Sequence, residues 1–122
     1  MASSSSDYYP HPPRYPVADS AGLHVEVERL GEISQVLQAT LVDMSRNGFC
    51  LQVPAPLVRE EPIVLRLCHQ ASGMALTVSA TVRWHKKQNE GIWSIGCLAA
   101  EQIAWETLGE LFLNGILSRE AV

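Results

Sequence analysis

The sequence predicts a mainly β domain, with six short antiparallel strands forming a small barrel or sandwich and one C-terminal helix. Three observations carry that expectation. Apolar and polar residues alternate with period two in separate short runs along most of the chain. Turn-forming Gly, Pro, Asn and Asp recur about every ten residues between them. Only after Glu101 does the apolar spacing change to a helical one.

Residues 1–13, MASSSSDYYPHPP, are Ser-rich and then Pro-rich, which favours a flexible, solvated, partly extended tail. The folded domain is expected over 14–122. His24–Glu28 alternates and makes the first strand, and Val36–Val42, after Gly31, makes the second. Phe49–Val53 is the third, closed by Pro54 and Pro56. Ile63–Leu67 is the fourth. Met74–Trp84 is a long fifth strand with Leu76, Val78, Ala80 and Val82 on one face, and Ile92–Leu98 is the sixth. A helix is expected from Glu101 to about Ser118, its apolar stripe of Ala104, Trp105, Leu108, Leu111, Phe112 and Ile116 packed on the β layer. Leu113 and Leu117 fall outside that stripe, either as ordinary exposed residues or as a partner surface.

At 122 residues, 47% of them apolar and 18% charged, the chain supports one core. A net charge of −4 argues against a broad nucleic-acid surface, because such binding needs many phosphates neutralised by Lys and Arg. One small anion held by local arginines is compatible with it. Lys86 and Lys87 are the only lysines, so most of the positive charge is Arg, the better fork for phosphate or a guanine edge. Cys50, Cys68 and Cys97 lie in apolar runs and read as reduced core thiols. No run approaches the roughly 18 apolar residues of a membrane span, and the start lacks a secretion signal. A cytoplasmic domain without direct membrane insertion is expected.

The stretch DMSRNGF, residues 43–49, is more polar than a hairpin needs. Asn47 and Gly48 both tolerate the positive φ of tight hairpin turns. Asp43 and Ser45 either cap backbone N–H groups of the turn or present a carboxylate and a hydroxyl to a ligand with donor edges. Guanine suits the second role, since one carboxylate accepts both its N1–H and its amino group.

Asp43-x-Ser45-x-x-Gly48 resembles the DxSxxG motif of PilZ domains, bacterial receptors for the second messenger cyclic di-GMP. The resemblance extends from the Arg14-Tyr-Pro-Val segment through Ala80-Thr-Val-Arg-Trp84 and Ile95-Gly96 to the final helix. It implies a six-stranded antiparallel PilZ-type β-barrel with a C-terminal α-helix. It also implies a ligand site built from Arg14, Asp43, Ser45 and Gly48. The family's second signature, RxxxR, is degenerate here: Arg14 matches its second arginine, and Pro10 stands where the first belongs. Losing one charged fork costs about 2–3 kcal/mol, or roughly thirty- to more than a hundredfold in affinity. His11 and Arg46 are the candidate replacements. Arg83 and Trp84 read as barrel packing and rim.

Catalytic chemistry is not indicated. Ser45 has no nucleophile elbow, and His11, His24, His69 and His85 lie on different segments. Cys50, Cys68, His69 and Cys97 lack zinc-ligand spacing, so neither metal nor cofactor is expected. The reading is therefore a non-enzymatic, stand-alone receptor for cyclic di-GMP that signals through a protein effector, as monomer or homodimer. The alternative is a PilZ-like adaptor that no longer binds the nucleotide and acts only by protein contact. A barrel binding RNA or single-stranded DNA is disfavoured by the acidic balance and sparse aromatics.

Overall fold

The computed structural model describes residues 12–32 and 34–120. Their strands are β1 Tyr15–Pro16, β2 Leu23–Arg29, β3 Gln35–Met44, β4 Gly48–Val53, β5 Pro62–His69, β6 Met74–Asn89 and β7 Ile92–Ala99; the helix is α1, Trp105–Leu113. Each strand pairs antiparallel with the next in the order β3-β2-β5-β6-β7-β4, and β4 pairs back onto β3. Six strands thus close into a barrel, which leaves no free edge around the ring. The two-residue β1 is an addition to β3 outside that ring.

Alternation puts one face of each strand in the core. Val27 faces Leu65 across β2 and β5, and Leu65 faces Val78 across β5 and β6, so buried side chains stack in belts. Leu108 and Leu111 of α1 belong to the same buried cluster, together with Leu57, Ile103, Ile116 and Leu117. At the end of β2 the Arg29 guanidinium forms a buried pair with Glu61, donating from Nε at 2.6 Å and from a terminal nitrogen at 2.9 Å. Glu61 also accepts the Val58 N–H, which fixes the segment between β4 and β5.

All six expected strands are present, each longer than expected, by one residue in β4 and β7 and by up to five in β6. Four other expectations are corrected. The turn after β3 has no positive φ at Asn47 or Gly48; among the described residues the positive-φ positions are Gly22, Gly73, Gly91, Gly115 and Glu60. The helix is nine residues, not eighteen. It starts late because the Ile103 N–H is bonded to the Arg46 carbonyl at 2.7 Å, and it ends where Gly115 turns left-handed. Trp105 is consequently exposed and Leu117 is buried. Of the thiols only Cys97 is buried; Cys50 is half-buried and Cys68 faces outward from β5.

Past the helix, the chain runs beside the N-terminal segment. Leu117 bridges to Val17, the Ser118 N–H donates to the Pro16 carbonyl, and the Ala18 N–H donates to the Ile116 carbonyl. On its other side the same segment is held by β3, through Tyr15 opposite Met44, Pro16 opposite Asp43 and the Val17 N–H on the Val42 carbonyl.

Candidate functional site

This double clamp positions Arg14. Continuing the β1–β3 register by one residue from the Tyr15–Met44 pair sets Arg14 alongside Ser45. Arg14, Asp43, Ser45 and Gly48 line one open cavity of about 600 Å³, within the range of small-molecule sites. The rest of the wall includes Pro12, Pro13, Asn47, Cys50, Arg83, Trp84 and Gly96.

Two β-bulges aim the wall. On β3, Leu41 pairs with Leu51 but Asp43 pairs with Cys50, so Val42 is the extra residue just before Asp43. On β6, Val82 pairs with Cys97 but Trp84 pairs with Gly96, so Arg83 is extra. Strict alternation sends adjacent residues to opposite faces. The bulge cancels that alternation locally, and Arg83 and Trp84 both reach the cavity. Arg83 and Trp84, read from the sequence as packing and rim, are two of the residues that line the cavity.

Both glycines serve close approach. A Cβ at Gly48 would overlap the Cys97 carbonyl of β7, so the strand beneath the turn needs glycine there. A Cβ at Gly96 would overlap the Trp84 indole, which lies against that bare backbone while remaining 44% exposed.

Ser45 performs the capping role expected of it, its Oγ accepting the Asn47 N–H at 3.1 Å. The Ser45 N–H in turn donates to the Gly48 carbonyl at 2.9 Å. Asp43 does not cap: among the described residues its carboxylate accepts no hydrogen bond. Burial pushes its pKa above the ordinary 3.8, and the Arg14 charge pulls it only part of the way back. A desolvated carboxylate beside a guanidinium suits a ligand carrying both donors and negative charge. Burial raises the Cys50 thiol to about 11, with the Asp43 charge adding to the effect. It raises Cys97 to about 12. Both are thiols at neutral pH and poor nucleophiles. Among the described residues no three His, Cys, Asp or Glu side chains cluster in a way that would hold a metal ion.

Arg46 is elsewhere. Its Nε donates to the Ile103 carbonyl at 3.2 Å, and its guanidinium sits 4.4 Å from the Trp105 ring centroid, away from the cavity wall. His11, the other candidate replacement, and Pro10, which stands where the first arginine of the motif belongs, lie outside the described residues.

Compared with known protein families, residues 11–111 match the model of the PilZ domain. A search of curated proteins returned no match. With that match spanning most of the chain, and the closed six-stranded barrel agreeing with it, the chain belongs to the PilZ domain family, a family of cyclic di-GMP receptors.

Proposed function

We propose that this chain is a cytoplasmic receptor that binds cyclic di-GMP in the cavity and passes the signal to a protein effector. One observation carries the reading: Arg14 from the N-terminal segment and Asp43, Ser45 and Gly48 from the hairpin line the same cavity. In this arrangement Arg14 grips a phosphate. The Asp43 carboxylate accepts the guanine N1–H and amino group. The half-exposed Trp84 face offers a base a surface to stack on. Each part is suited to recognising or orienting a ligand, which supports a receptor.

The route outward follows from the contacts. The hairpin touches the segment before α1 through Arg46 and Ile103, and through Asn47, whose Oδ1 accepts from Gln102 at 3.1 Å. The N-terminal segment touches the helix through Tyr15, edge-to-face on Phe112 at 4.8 Å. Both halves of the site therefore lean on α1, whose Trp105 and Leu113 face outward and suit a partner protein. Ligand need not fold the base of the arm onto the barrel, because residues 15–18 are already paired there.

The adaptor reading draws its support from Pro10 and from that docked arm, which needs no ligand to stay in place. Calorimetric titration separates the two. The receptor reading expects saturable cyclic di-GMP binding at micromolar or tighter concentration, lost in Arg14→Ala. No heat and no thermal shift at high ligand excess favours the adaptor.

A further inference from the structure

Building on the receptor reading, we propose that Arg83 is the second anion-gripping arginine of the cavity, and that Glu60 is the carboxylate it exchanges for a ligand phosphate. A cyclic dinucleotide carries two phosphates, and among the described residues the cavity wall holds two cations, Arg14 and Arg83, against one carboxylate, Asp43. Arg83 thus makes the wall net positive on a chain whose overall charge is −4.

Three features of Arg83 fit this role. It is the extra residue of the β6 bulge, and it lines the cavity together with its neighbour Trp84. It is half-exposed, and among the described residues none of its N–H groups makes a hydrogen bond. Its one ion pair is loose: Nε stands 3.6 Å from Glu60 Oε2, too long for a good hydrogen bond. Arg46, by contrast, is committed to Ile103 and Trp105.

Glu60 is held beside it by the backbone. Its N–H donates to the Val82 carbonyl at 2.7 Å, and its φ of 70° puts a non-glycine residue in the left-handed region. The main chain of Glu60 is therefore tethered next to the residue preceding Arg83, while its exposed carboxylate also lies 3.9 Å from Arg59 Nε. The Arg83–Glu60 contact is weak and solvated, with both side chains about half-exposed, and a phosphate that accepts two parallel N–H bonds can displace it.

The test is calorimetric titration of cyclic di-GMP into the full chain and five variants, each with its melting temperature recorded. Arg83→Ala is expected to weaken binding about tenfold to a hundredfold without lowering the melting temperature. Arg83→Lys recovers part of the loss, keeping the charge without the fork. Glu60→Gln tightens binding a few-fold, and that gain disappears when combined with Arg83→Ala. Lys87→Ala, which removes a charge from the same strand outside the cavity, stays within about twofold of the parent. If the parent binds and Arg83→Ala binds equally well, the assignment of Arg83 is overturned and the receptor reading stands. If Arg83→Ala weakens binding but Glu60→Gln does nothing, the exchange with Glu60 is overturned. If the parent itself does not bind, the receptor reading falls and takes this assignment with it.

Discussion

Glycine acts twice at the cavity, and substitution at each position has a different consequence. At Gly48 a methyl group meets the backbone carbonyl of Cys97, which cannot move without parting β4 from β7. Gly48→Ala should cost about 1–3 kcal/mol or more in chemical denaturation. At Gly96 the obstacle is a half-exposed indole that can swing outward. Gly96→Ala should fold with a smaller loss and report itself as a shift in tryptophan emission. Asp43 gives a pH signature. Its folded pKa lies above 3.8, so ionising it opposes folding: the penalty is absent below that value and complete once pH exceeds the raised one. Asp43→Asn should therefore melt higher than the parent at neutral pH, by a margin that shrinks to nothing in acid, while losing the ligand. The chemical types at the site were legible in the sequence because DxSxxG fixes a carboxylate, a hydroxyl and a glycine on one hairpin. Direction was not legible. Arg46 sits in the middle of the motif yet turns to Trp105, a contact that depends on where the helix begins.

At the scale of elements, the strands were readable because each has one buried face, and burial writes itself as alternation. The bulges were not. Neither Leu41–Asp43 nor Val82–Trp84 carries a Gly or Pro to mark it, and each bulge exists only relative to the register of the strand beside it. The helix was overextended because the apolar spacing continues through Ile116, while the tertiary bond from Ile103 to the hairpin and the left-handed Gly115 set the real ends. The arm shows how an element outside the wall supports one within it. Tyr15 rests on Phe112 and its neighbour Arg14 faces the cavity. Tyr15→Ala should therefore weaken cyclic di-GMP binding several-fold by loosening the arm, an effect matching the roughly 0.5–1.5 kcal/mol of an aromatic pair. Tyr15→Phe should bind normally, since the ring and not the hydroxyl makes that contact.

For the molecule as a whole, barrel closure leaves the Arg29–Glu61 pair fastening the β4–β5 connection to the end of β2. Glu61→Gln leaves a guanidinium short of its counter-charge and should cost about 3 kcal/mol. Burial raises the Glu61 pKa, but the Arg29 hydrogen bond, the Val58 N–H and the Arg29 charge together outweigh it and hold the group below 4.5. Its stabilising effect is present above 4.5 and fades as pH falls through the depressed value, so the parent should approach Glu61→Gln in stability as acid is added. The acidic balance of the whole chain is compatible with the proposed dianionic ligand, because two of its nine Lys and Arg side chains, Arg14 and Arg83, line the cavity wall beside one carboxylate. The central claim is that the clamped arm and the hairpin tip form one anion-accepting pocket. An amide and indole NMR titration of the full chain with cyclic di-GMP tests it most directly. Saturable shifts confined to Arg14, Ser45, Gly48 and the Trp84 indole N–H, spreading to the start of α1, are the result expected; unchanged spectra at millimolar nucleotide, or shifts on the far side of the barrel, contradict it.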